Sequence, residues 1–116
     1  MRILGWNCRG ICHALTTWAL RVTIKAQNLD VIFLCETKAT KDHMKKLACS
    51  IGFLEYVIVG ARGKAGGICL LWSNDLDVSV VEFDSRTVAI SVHDESCTWT
   101  LIGFYGSPYY AKWRNT

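Results

Sequence analysis

Val31-Ile32-Phe33-Leu34-Cys35 is an unbroken apolar run, bounded by Asp30 before it and Glu36 after it. Five apolar residues that do not alternate with polar ones fit a strand buried on both faces. Upstream, residues 2–8 predict a short apolar strand ending at Asn7-Cys8, and Arg9-Gly10 marks a turn. Between the two runs the apolar positions are Leu15, Trp18, Ala19, Val22, Ala26 and Leu29. That spacing predicts an amphipathic helix with this stripe toward the core, and Thr16 or Thr17 is its candidate N-cap. Asn28 and Asp30 flank its end. Strand, helix and buried strand make a βαβ unit with the two strands parallel.

Beyond this unit, residues 41–51 predict a second helix, with Met44, Leu47, Ala48 and Ile51 on one face. Thr40 is its candidate N-cap and Gly52 its stop. The period then changes, and residues 54–59, 67–72, 77–83, 87–92 and 97–105 read as strands. Val88, Ile90 and Val92 alternate with smaller or polar neighbours, as a half-buried antiparallel strand requires. His93-Asp94-Glu95-Ser96 predicts a hairpin turn. The apolar phase slips between Val80 and Val81, which predicts a bulge. The order βαβα followed by a β-meander is an α/β arrangement.

The chain has 116 residues, enough for at most one domain. Its 51% hydrophobic content excludes disorder, and one Pro with 9 Gly excludes collagen-like and proline-rich classes. The net charge of +3 allows a phosphate-bearing partner without arguing for one. Residues 1–46 are more basic, with eight Lys/Arg against Asp30, Glu36 and Asp42, a balance an ordinary solvated face also gives. The six cysteines sit in apolar contexts and do not punctuate loops as a disulfide framework would, so all six are expected to be reduced. Cys8, Cys12 and His13 are a conceivable metal set, but four ligands are needed and Cys35, Cys49, Cys69 and Cys97 read as core. The start carries no sustained apolar segment of a secretory leader, and no apolar run reaches membrane-spanning length. An intracellular protein without a membrane partner is the expectation.

Asn7 and Glu36 close the first and second strands. On parallel neighbours both would stand at one sheet edge, where ligands of open α/β sheets gather. A carboxylate beside an amide oxygen suits Mg²⁺. Spacing alone favours plainer roles: Glu36 paired with Lys38, and Asn7 capping its own turn. Arg62-Gly63-Lys64-Ala65-Gly66-Gly67 lacks the phosphate-loop spacing and reads as a turn, with nucleic-acid contact as a minor role. Trp72 and Trp99 read as core. Trp6 is either core or the floor of the site.

The wording of four segments in order goes further. Ile3-Leu4-Gly5-Trp6-Asn7-Cys8-Arg9-Gly10, Leu34-Cys35-Glu36-Thr37-Lys38, Gly66-Gly67-Ile68-Cys69-Leu70-Leu71-Trp72 and Gly103-Phe104-Tyr105-Gly106-Ser107-Pro108 span nearly the whole chain. Together they resemble the N-terminal half of the endonuclease/exonuclease/phosphatase superfamily, which includes the apurinic endonucleases and deoxyribonuclease I. Trp-Asn-Cys-Arg-Gly and Phe-Tyr-Gly-x-Pro are most similar to the endonuclease domain of plant LINE-type retrotransposons. The resemblance implies the N-terminal half of a four-layer α/β sandwich, with residues 1–116 a partial domain truncated at the C-terminus.

It also implies hydrolysis of DNA phosphodiesters with Mg²⁺, or Mn²⁺ in its place, and a nuclear location. Residue by residue, Glu36 matches the metal-ligating Glu, Asn7 the Asn that orients metal and phosphate, and Tyr105 the Tyr that contacts the scissile phosphate. Arg9 and Arg62 are candidate nucleic-acid contacts. The superfamily's Gly-Asp-x-Asn and Ser-Asp-His segments are absent, and His13, His43 and His93 lie outside any such context. The chain is therefore expected to be inactive or nearly so alone. The other function left open is a non-catalytic remnant that binds nucleic acid or protein weakly.

Overall fold

The computed structural model of the chain describes residues 2–11, 14–62 and 66–105. The order is β1 (Ile3–Asn7), α1 (Ala14–Gln27), β2 (Val31–Cys35), α2 (Lys41–Ser50), β3 (Glu55–Val59), β4 (Ile68–Trp72), β5 (Asp77–Phe83), β6 (Thr87–His93) and β7 (Thr98–Phe104). A four-stranded sheet has the order β1-β2-β4-β3, and a three-stranded sheet the order β5-β6-β7. β1 and β2 are parallel, with Asn7 beside Cys35, as the βαβ reading requires. β4 runs antiparallel to both β2 and β3. Among the described residues no helix is long and apolar enough to cross a membrane.

β2 and β4 are buried along nearly their whole length because each faces a core on both sides. Ile32, Leu34, Cys69 and Leu71 point to the helices, where they meet Leu20, Met44, Leu47 and Ala48. Val31, Ile68, Leu70 and Trp72 point the other way, onto Val88, Ile90 and Val92 of β6. The result is three layers: helices, first sheet, second sheet. Phe33 of β2 lies against Gly103 of β7, where any side chain would collide with its ring. Trp99 packs into the core between the sheets, and Trp6 into the core beneath the helices.

α2 follows its sequence signals. The Thr40 hydroxyl accepts from His43 N–H at 3.1 Å, and Gly52 ends the helix at φ +86°. The bulge also stands where the phase slips: pairing of β5 with β6 shifts between Val80 and Glu82. The hairpin turn sits one residue later than expected, since β6 runs through His93 and β7 starts at Thr98.

α1 departs from its reading. Thr16 and Thr17 lie inside the helix rather than capping it, and the Thr17 hydroxyl donates to Ile11 C=O at 2.8 Å. Most of the expected core stripe faces water: Leu15 is 81% exposed and Trp18 64%, whereas Leu29 packs against the core and Leu20, outside that stripe, is fully buried. Two further corrections concern cysteines. Cys49 and Cys97 are exposed, whereas Cys8, Cys35 and Cys69 are buried; all five are free thiols. Cys12, His13, Gly63, Lys64, Ala65 and the tail 106–116 lie outside the described residues.

Candidate active site

Three backbone segments are zipped together at one edge of the first sheet. Cys8 N–H donates to Cys35 C=O, Gly10 N–H to Glu36 C=O and Ile11 N–H to Thr37 C=O, at 3.1, 2.8 and 2.9 Å. On the other side Thr37 N–H donates to Gly67 C=O and Lys38 N–H to Gly66 C=O, at 3.2 and 2.8 Å. The segment 36–38 is thus held from both flanks. Gly67, at φ +93°, lets it approach, because a side chain there would run into Thr37. Arg9, Glu36 and Lys38 all adopt positive φ, between 48° and 52°. Such conformations cost free energy in residues with a Cβ and gather where the surroundings over-determine them.

Glu36 emerges half-buried from this frame. Its Oε1 accepts a hydrogen bond from the Tyr105 hydroxyl at 2.8 Å, joining the ends of β2 and β7. Tyr105 is itself fixed by its N–H, which donates to Arg86 C=O at 2.7 Å. The bond to Glu36, with smaller effects of burial and of the Glu36 charge, raises the Tyr105 phenol above its ordinary value. Tyr105 therefore keeps its proton as a donor. Asn7 stands one strand away at the same edge, and its Oδ1 accepts from Arg9 N–H at 3.2 Å. The turn-capping role expected of Asn7 is thus present, while the Glu36 carboxylate is bonded to Tyr105.

Arg62 lines a cleft of about 380 Å³ beside Tyr105, with Val59, Phe83 and Arg86. Arg9 is exposed and does not line it. Arg86 and Phe83 line this cleft beside Tyr105, and the sequence reading did not name them. Asp84-Ser85-Arg86-Thr87 did hold a signal for this turn. The Asp84 Oδ1 accepts from Arg86 N–H and Thr87 N–H at 2.7 and 2.8 Å, a local capping pattern typical of Asp.

The donor chemistry fits a hard divalent cation. Glu36 and Asn7 offer oxygen, and the nearby thiols are protonated: burial pushes Cys8 up to about 11 and raises Cys35 and Cys69 as well. The set is sparse. Among the described residues no three His, Cys, Asp or Glu side chains gather as a metal centre would need. One carboxylate and one amide can complete a Mg²⁺ shell only with water and substrate phosphate.

Solved structures share this fold. An AP endonuclease from Leishmania major superposes with a TM-score of 0.68 at 19% identity, over 89% of this chain and 39% of that one. A 3'-5' exonuclease from Neisseria meningitidis gives 0.67 at 17% identity, over 99% and 48%. The endonuclease domain of TRAS1, a telomere-specific non-LTR retrotransposon, gives 0.63 at 17% identity, over 97% and 49%. At these identities the likeness is one of fold. The chain spans less than half the length of these structures. No curated protein matches it in sequence. The family model for Endonuclease/Exonuclease/phosphatase matches residues 4–114, and by that match across nearly all of its length the chain belongs to the Endonuclease/Exonuclease/phosphatase family.

Proposed function

We propose that the chain carries the metal-binding edge of a DNA phosphodiester hydrolase of retrotransposon origin. The observation that carries this reading is the 2.8 Å bond from the Tyr105 hydroxyl to Glu36, formed across 69 residues at the edge where Asn7 also ends its strand. The similarity to the TRAS1 endonuclease domain and the Trp-Asn-Cys-Arg-Gly wording support the LINE-type origin, and a plant source and a nuclear location go with it. A Neisseria 3' phosphatase bound to a product DNA hairpin shares the fold, with a TM-score of 0.69, which supports DNA as partner.

Glu36 and Asn7 would hold Mg²⁺ or Mn²⁺. When bound, such a cation stabilises the charge that develops on the phosphoryl oxygens. The chain's own groups do the rest of the positioning. Glu36 holds the Tyr105 phenol at the site, and when the carboxylate turns to a cation the phenol proton is free to be donated to a phosphate oxygen. Arg62 and Arg86 draw the backbone phosphates alongside.

Residues 1–116 form a partial domain in this reading, and alone they cleave DNA negligibly. A single carboxylate holds Mg²⁺ poorly without substrate. A positioned general base is worth typically 10²–10⁴ in rate, and no described residue fills that role. The same sparse donor set favours the second reading, a non-catalytic nucleic-acid-binding remnant. Two measurements test the proposal. Mn²⁺ should broaden the NMR signals of Asn7, Glu36 and Tyr105 selectively, and Glu36→Ala should abolish the effect; broadening centred elsewhere overturns the metal assignment. Supercoiled plasmid incubated with the purified chain and Mg²⁺ should stay essentially un-nicked. Robust nicking that disappears in Glu36→Ala would show the 116 residues to be sufficient.

A further inference from the structure

Phe83 is the last residue of β5 and is 57% exposed. The bulge at Val81 puts it there. After the slip Phe83 pairs with Val88, a core residue that faces the first sheet. Directly opposed antiparallel residues share a face, so Phe83 points the same way. It overhangs the β3 edge of that sheet, between two cavities.

One cavity is the cleft of about 380 Å³ with Arg62, Arg86 and Tyr105. The other, of about 350 Å³, is lined by Lys41, Lys45 and the β3 residues 56–58. Four cationic side chains therefore flank one exposed aromatic ring. Among the described residues, Asp84 is the one carboxylate in these two linings, and its Oδ1 accepts from the N–H groups of Arg86 and Thr87. Glu82 precedes Phe83 in the strand and so faces the opposite way.

We infer that this surface binds one unpaired nucleotide beside the phosphate in the cleft of Arg62 and Arg86 next to Tyr105, with its base stacked on Phe83. Arg62 and Arg86 take the phosphate on the active-site side, and Lys41 and Lys45 the phosphate beyond the ring. An aromatic ring can stack only on a free base face, and a base inside a duplex has both faces covered. Alternation of cations with an aromatic is the pattern of single-strand recognition. The preferred substrate is then DNA with a frayed, bulged or single-stranded nucleotide next to the cut. The inference rests on the nuclease reading for the position of the phosphate, but its test does not depend on cleavage.

Fluorescence anisotropy without divalent metal would use the full 116-residue chain. The probes are a fluorescein-labelled 13-nucleotide single strand, a fully paired hairpin, and the same hairpin with a one-nucleotide bulge. The single strand and the bulged hairpin should bind more tightly than the paired one. Phe83→Ala should cost these two roughly tenfold and leave paired binding unchanged, and Phe83→Trp should retain the preference. Arg62→Ala with Arg86→Ala should weaken all three and flatten the dependence on salt. Equal affinity for paired and bulged DNA overturns the inference, as does binding unaffected by Phe83→Ala or no DNA binding at all. Should Phe83→Ala fail to fold, the comparison of probes on the unsubstituted chain still decides. Discrimination without metal binding at Glu36 would sink the hydrolase reading and leave this one standing; metal binding without discrimination would do the reverse.

Discussion

Thr37 is fully buried, and among the described residues its hydroxyl finds no hydrogen-bond partner. It sits between Glu36 and the point where Gly67 closes on the same segment. Two substitutions separate packing from polarity there. Gly67→Ala should destabilise by about 1–3 kcal/mol or more, since it adds both positive-φ strain and a collision with Thr37. Thr37→Val keeps the shape and removes an unsatisfied buried hydroxyl, so urea melts should show unchanged or higher stability. A clear loss of stability in Thr37→Val would mean the hydroxyl has a partner in solution. Tyr105 gives a second prediction at this scale. Its folded-state pKa lies above the ordinary value of 10.0, with the Glu36 bond as the largest cause. A raised pKa means that the stabilisation is fully present below the unfolded-state value and is lost as pH rises through the folded-state value. Absorbance at alkaline pH should show one tyrosine titrating later than in Glu36→Gln, and coincident curves would remove the bond. The sequence named Asn7, Glu36 and Tyr105 as candidates through their motif context. It could not show Arg86 or Phe83, because their place beside Tyr105 depends on a bulge and on strand pairing across distant segments.

At the scale of the elements, the strands and α2 were legible and the orientation of α1 was not. β2 was legible because burial on both faces leaves no polar residue in the run, and α2 because Thr40 and Gly52 bracket it. α1 carries apolar residues around most of its circumference, so its periodicity admits two faces. The structure chooses the narrower one, in which Leu20 meets the first sheet and Thr17 and Thr23 bond to the backbone at Ile11 and Ala19. The rejected face is left with Leu15, Trp18 and Val22, between 45% and 81% exposed. This makes the helix a direct comparison of the two faces. Leu20→Ala should cost about 2–5 kcal/mol through lost burial and the cavity it leaves, whereas Trp18→Ala, despite removing a larger side chain, should stay within about 0.5 kcal/mol. Thermal denaturation of the two variants checks this, and the reverse ranking would restore the face that periodicity favoured.

The whole molecule is polar from end to end and layered from face to face. Asp30, Asp75, Asp77, Asp94 and Glu95 line a cavity at the end where β2 begins, while Arg62, Arg86 and Tyr105 line the cleft near the end where it finishes. In the nuclease reading, such a charge distribution turns the Glu36 edge toward a polyanion and the acidic end away. Across the layers, the described residues cover the first sheet on both faces and the second on one. Leu101 and Trp99 face inward, so Ile102 lies on the outward side of β7 and is 61% exposed, with Val81 of the bulge 59% exposed. Exposed apolar side chains on a sheet face favour association. The described chain should therefore self-associate through this face, with a sedimentation coefficient that rises between micromolar and millimolar concentration. Ile102→Lys should suppress the rise, because a desolvated ammonium opposes the contact, while leaving the melting temperature nearly unchanged at so exposed a position. The strand edges of β1, β3, β5 and β7 are the competing route to association, and a surface lysine on the face of the sheet leaves their backbone groups open. A concentration dependence that persists in Ile102→Lys would assign the association to those edges, and a coefficient constant with concentration would show that this face needs no cover.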